Sequence, residues 1–172
     1  MYKRQALDSG VSITLVDYTG TQPHGFTVDS MPAGWSIQGS DTRDLVIAPD
    51  GDPDTDANSF RGKILVSTFT KDAAVPTAAG PCPVDVALVR CVPVTVGTVA
   101  GVVYEFDEAK YPHPRSTPAH GAGIDTGLFF TDPASGMPVS VQIPPALHWS
   151  PEQAAAFAMG VHVTKDAQRS AG

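Results

Sequence analysis

The chain has 172 residues, with 11 basic and 18 acidic side chains, a net charge of −7 and a sequence pI near 5.0. That acid excess has the wrong sign for a nucleic-acid surface, which needs a basic stripe to face phosphate. Hydrophobic residues make up 42%, enough for one packed domain, yet no apolar run approaches the ~20 residues of a bilayer-spanning helix.

Composition also speaks for strands. Sixteen glycines and sixteen prolines punctuate the chain, and fifteen aspartates stand against three glutamates and five lysines. Aspartate competes for its own backbone and favours turns, whereas glutamate and lysine are helix formers. Nineteen valines outnumber seven leucines, and the β-branched side chain suits a pleated surface.

In chain order, residues 12–17 (SITLVD) alternate and predict a first strand. Short strands follow at 26–28 and 35–38, separated by the turn residues of MPAG, and 44–49 (DLVIAP) is a short apolar strand. The acidic stretch 50–58 separates it from 61–69 (RGKILVSTF). A loop rich in Ala, Pro and Gly covers 71–83. Residues 84–90 and 93–99 are both valine-rich, and 101–106 (GVVYEF) comes after a small break. The Pro/Gly/His stretch 111–123 predicts an exposed excursion. Residues 128–131 and 138–143 predict two strands joined by a turn at 132–136.

One helix is well marked. Ser150 is a good N-cap, Pro151 suits the first helical position, and Gln153 stands where a capping-box partner belongs. Ala154, Phe157, Ala158 and Val161 form an apolar stripe, and Gly160 marks the C-terminal stop. A helix of about nine residues does not hold alone, so it must pack on the sheet.

The ordered set MPAGWSIQ (31–38), NSFRGKILV (58–66), VGTVAGVVYEF (96–106) and LHWSPEQAAAFAMGVHV (147–163) resembles extracytoplasmic domains of membrane-anchored proteins and lipoproteins from GC-rich Gram-positive bacteria. The resemblance spans residues 26–164 and departs from the pattern in the loop 111–123 and the cysteine pair. It implies a curved antiparallel sheet with a helix against it, and a location more than an activity. The first five residues, MYKRQ, resemble a translated sequencing-adapter remnant, as found in genes from fragmented metagenomic assemblies. On that reading 1–5 is a non-native leader, 6–165 a single domain and 166–172 a flexible polar tail.

Several groups carry candidate chemistry. Asp50, Asp52, Asp54 and Asp56 fall at alternate positions, a spacing of hard oxygen ligands suited to calcium. The twelve-residue calcium-loop pattern fails, however, since Thr55 stands where Gly is needed and Arg61 where a bidentate Glu is needed. A solvated turn fits the same residues. Cys82 and Cys91 are the only cysteines and fit either a disulfide, as an exported domain favours, or two buried thiols. A straight strand over 84–90 would hold them ~23 Å apart at ~3.3 Å per residue, so a bond requires the segment to bend back. Trp35, Trp149 and Phe157 fit either core or a ligand groove between sheet and helix.

His113 and His120 share one loop and fit either solvated side chains or a site with a carboxylate such as Asp125. His148 and His162 read as structural. Glu105 and Glu108 lie three apart, on opposite faces of a strand, which argues against a shared carboxylate site. No nucleophile elbow, zinc-protease motif, P-loop or dinucleotide fingerprint is present.

The expectation is therefore an α+β domain, mainly β, with a curved antiparallel sheet and one short C-terminal helix. Its expected role is non-catalytic binding of a protein partner or envelope ligand outside the cytoplasm, anchored to the membrane through a segment upstream. A calcium-stabilised adhesion or binding module is the alternative, and a hydrolase of unfamiliar type the third reading.

Overall fold

The computed structural model of the chain describes residues 14–56, 58–85, 87–110 and 123–170. The leader at 1–5, His113, His120 and the last two residues lie outside these segments.

Three short strands come first: β1 (Leu15–Asp17), β2 (Phe26–Val28) and β3 (Ser30–Pro32). A meander of β4 (Trp35–Ser40), β5 (Asp44–Pro49) and β6 (Ile64–Thr68) follows. A crossover over residues 69–87 then carries the chain to the far edge of the same sheet. There β7 (Leu88–Val96), β8 (Val99–Asp107), β9 (Ile124–Thr131) and β10 (Pro138–Ile143) meander back. β10 closes antiparallel onto β6, with Val141 opposite Val66, giving the order β4-β5-β6-β10-β9-β8-β7. The helix α1 (Pro151–Ala158), the strand β11 (Val161–Val163) and a second helix α2 (Lys165–Ser170) end the described chain. β11 pairs with β2, and β1 with β3, both antiparallel.

The fold is mainly β and α+β, as the composition predicts. β2, β5 and β10 occupy the expected residues. The valine-rich pair 84–90 and 93–99 is instead one strand, β7, and a turn at Gly97 and Thr98. Valine runs mark extended chain but not where it reverses; Gly97, with φ of +62°, supplies the first central position of a type II′ hairpin turn. Pro93 sits within β7 without breaking it because β7 is an edge strand.

Period-two alternation sorts the sheet into two faces. Leu45, Ile47, Ile64, Val66, Val103 and Leu128 share one face with Phe130, Val139 and Val141, and α1 covers it with Ala154, Phe157 and Ala158. Val46, Leu65, Val102 and Tyr104 turn to the other face, where Tyr104 and Phe129 lie 5.8 Å apart between ring centroids.

α1 begins as its sequence predicts. The Ser150 hydroxyl accepts from the Gln153 N–H at 3.3 Å, and the Gln153 side-chain oxygen accepts from the Ser150 N–H at 2.8 Å. The polar end of the chain differs from the expected tail, since residues 165–170 are helical. Ala167 is fully buried in the core cluster, and that anchor holds a segment too short to be helical by itself.

Candidate functional site

Asp50, Asp52, Asp54 and Asp56 share the β5–β6 loop but do not converge on one ion. Each of three carboxylates binds the backbone two residues on. The Asp54 N–H donates to Asp52 at 2.9 Å, the Asp56 N–H to Asp54 at 3.1 Å and the Asn58 N–H to Asp56 at 2.9 Å. Successive turns of this kind tie each side chain to its own stretch of chain.

The loop holds two cations, exposed Arg61 and completely buried Lys63. Its Nζ donates to the carbonyls of Asp54 and Asp56 at 2.8 and 3.2 Å and lies 3.6 Å from Asp54 Oδ2. The Asp54 carbonyl also accepts from the Gln38 amide at 2.6 Å, and Asp54 Oδ2 accepts from the Ser59 hydroxyl. The Ser59 hydroxyl, the Asp56 N–H and the Lys63 charge together hold the Asp54 carboxyl below its ordinary value. Among the described residues no group of three or more Asp, Glu, His or Cys is placed to hold a metal. An internal ammonium thus brings positive charge to this loop, while Asp50, Asp52, Asp54 and Arg61 line an opening of about 570 Å³. Sequence reading missed Lys63 because it sits inside the strand-like run RGKILV and shows no sign of pointing back into the loop.

The aromatics that fit either core or groove lie in or against the core cluster. Phe157 is fully buried, Trp149 is 6% exposed, and their ring centroids are 5.4 Å apart. Trp35 is half-buried against the same cluster. Among the described residues these rings pack between sheet and helix.

Cys82 and Cys91 are paired, with 6.0 Å between their Cα atoms. The bend this requires is a turn at Asp85, whose carboxylate accepts from the Ala87 N–H at 2.7 Å and whose carbonyl accepts from the Leu88 N–H at 3.2 Å. The bond staples the end of the crossover loop to the edge strand β7. Next along that strand, Arg90 reaches its register partner Glu105 through two hydrogen bonds of 2.9 and 2.6 Å. Those bonds raise the Arg90 pKa further and hold Glu105 in a structural pair. Glu108 opens a separate 3-10 turn.

A second polar cluster was not foreseen. Asp132, fully buried at the start of the β9–β10 turn, lies 3.0 Å from His162 Nδ1, so Nδ1 carries the proton and donates. Asp132 also accepts from the Ser135 hydroxyl at 2.6 Å and the Val163 and Ala134 N–H groups at 3.0 and 3.3 Å. Burial pushes its pKa up, but these four donors outweigh burial and hold it below the ordinary carboxylate value. Serine, aspartate and histidine therefore do meet, but in an order unsuited to nucleophilic catalysis. The aspartate stands between the other two, and His162 Nε2 points towards Asp29, 4.0 Å away, rather than towards a hydroxyl. The cluster ties the β9–β10 turn to β11.

The opening of about 570 Å³ lies at the β5–β6 loop beside Asp50, Asp52 and Arg61, and another lies along the outer edge of β7. A groove of about 670 Å³ runs there, bordered by Pro93 and Thr95 of β7 and by Glu152, Ala155, Ala156 and Met159 of α1. Those four α1 residues are spaced i, i+3, i+4 and i+7, so they form a second stripe beside the core stripe of Ala154, Phe157 and Ala158. Ala78 of the crossover loop lines the groove as well. Met159 is 51% exposed and closes one end, where its side chain comes near Gly97. Glu152, at the other end, is charged at neutral pH, its carboxyl held below the ordinary value by first-turn hydrogen bonds and by Arg90.

No family model and no curated protein matches this chain. Its function must be argued from the groove and the clusters themselves. Of these, the Asp132 carboxylate has its donors in place and Lys63 is held by loop carbonyls, while the groove is open, of mixed polar and apolar lining, and carries one charge at its end. Among the described residues no helix is long and apolar enough to cross a membrane. The helix stripe that walls the groove was legible in the sequence, but only as a run of alanines, because nothing local says which face of a short helix meets a sheet edge.

Proposed function

We propose that this chain is a non-catalytic binding domain that works outside the cytoplasm, at the cell envelope, and docks a partner along the groove between β7 and α1. The observation that carries this reading is the groove itself. It is an opening beside an edge strand whose outer side no described strand pairs with, walled by short alanine side chains and one carboxylate. The Cys82–Cys91 bond supports the compartment, because such bonds persist where the environment is oxidising. The likeness of residues 26–164 to envelope-protein domains points the same way. The enzyme reading loses support from the order of Ser135, Asp132 and His162, and the calcium-module reading from the position of Lys63.

The test places a photo-crosslinking amino acid at Thr95 in the groove, or at exposed Asp72 as a control, in cells that export the protein. A discrete adduct from Thr95 alone, lost when Ala156→Trp fills the groove, is the expected result. Alkylation of the same cells without reductant should leave Cys82 and Cys91 unmodified. Equal adducts from both positions, or none, or two alkylated cysteines, would overturn the reading.

A further inference from the structure

β7 is the last strand of the sheet, and among the described residues no strand pairs with its outer side. The hairpin register fixes which of its backbone groups face outward. Val96 and Val99 close a two-residue turn and exchange hydrogen bonds, so Val94 and Val92 also bond towards β8. Cys91, Pro93 and Thr95 alternate with them and turn their main-chain groups away from the sheet. Pro93 has no N–H, so the outer edge offers three carbonyls but only two donors, those of Cys91 and Thr95. This arrangement weakens indiscriminate strand pairing and leaves a defined pattern for a chosen one.

Beside that edge, α1 presents half-buried Ala156, with Ala155 buried behind it, and these short side chains leave the volume open. A strand laid against β7 would place alternate side chains into that space and bring its end to Glu152. Near the Glu152 end, Glu105 and Glu152 supply two carboxylates against the single guanidinium of Arg90. The local excess is one negative charge, in a chain of net charge −7. A second copy of this chain would bring a like-charged molecule to the same edge, whereas a segment carrying lysine or arginine complements it.

We infer that the groove receives an extended segment of a partner protein, added as a further strand to β7, with aliphatic side chains against Ala156 and a basic residue beside Glu152. This inference rests on the reading of the groove as the docking site. Main-chain hydrogen bonds to the outer edge give such binding its strength, and the pockets for alternate side chains give it selectivity.

The experiment uses the full chain and three synthetic ten-residue peptides. The first alternates valine and threonine with a lysine at each end, the second is the same peptide N-methylated at alternate residues, and the third has glutamate in place of lysine. Binding is read by fluorescence anisotropy, and edge protection by amide hydrogen exchange. The lysine peptide should bind saturably and slow exchange at Cys91 and Thr95. N-methylation, glutamate substitution and Ala156→Trp should each weaken binding at least tenfold, and Glu152→Lys should reverse the preference between lysine and glutamate. Melting curves of both variants establish that they fold.

If the lysine peptide binds and Ala156→Trp abolishes it, but N-methylation is harmless, strand addition is overturned while the groove stays a docking site. If no peptide binds at millimolar concentration, or if a dimer protects Cys91 and Thr95 without peptide, the extended-segment inference is overturned. The crosslinking result then decides the docking site separately.

Discussion

Lys63 shows how one side chain settles the character of a loop. Four aspartates within seven residues repel one another, and the loop closes because an ammonium reaches two of its carbonyls. Replacing Lys63 by Met removes both charge-assisted bonds, and since the ammonium's desolvation is also relieved, the loss should be about 2–3 kcal/mol. A urea titration of the variant reads it directly. Millimolar calcium should leave the melting temperature of the unaltered protein unchanged, and a rise of several degrees would show that the ammonium yields its place. Asp132 makes a prediction of a different kind. Its native carboxyl holds its proton less tightly than the unfolded one, whose ordinary value is about 3.9. Between those two values the unfolded chain binds the extra proton, so acid favours unfolding. The contribution of Asp132 is therefore fully present above about pH 5 and is lost as pH falls below about 4. Urea midpoints measured from pH 6 to pH 2 should fall less steeply at the acid end in Asp132→Asn than in the parent.

Elements divide by how much of their stability is local. α1 has its own start signal, and the sequence SPEQ predicts the reciprocal hydrogen bonds that the structure contains. Ser150→Ala should cost about 1 kcal/mol, because one first-turn N–H loses its acceptor. Phe157→Ala should cost more, about 3–5 kcal/mol, because the ring is fully buried against Trp149 and its loss opens a cavity. Chemical denaturation of the two variants checks the ordering, and comparable small losses would mean that α1 is not docked. α2 is the opposite case. KDAQRS is rich in helix formers, but six residues are too few to offset the cost of nucleation, and the segment is held by the burial of Ala167. β7 lies between these cases. Its valines predict extended chain, but its limits at Leu88 and Val96 are set by the Asp85 turn and by Gly97.

At the scale of the whole molecule, two meanders meet along β6 and β10, and the crossover between them is closed by Cys82–Cys91. Cysteines nine residues apart close a small loop, for which chain entropy gives a stabilisation of about 2.5 kcal/mol. Reduction should lower the melting temperature by roughly 5–10 °C at about 2–4 °C per kcal/mol. It should also speed hydrogen exchange along β7 before the β5–β6–β10 centre is affected. The sequence alone determined the β-rich class, the strands with clean alternation such as DLVIAP and PVSVQI, and the helix with its cap. Those are properties of neighbouring residues, written in side-chain period, turn chemistry and capping. Only the tertiary structure decided that Lys63 fills the aspartate loop, that Asp132 meets His162 thirty residues away, and that Trp149 and Phe157 are core. It also decided that the second stripe of α1 faces an open strand edge. Each of these depends on which distant segments become neighbours, and that follows from joint burial of apolar faces across the whole chain, which no local window contains.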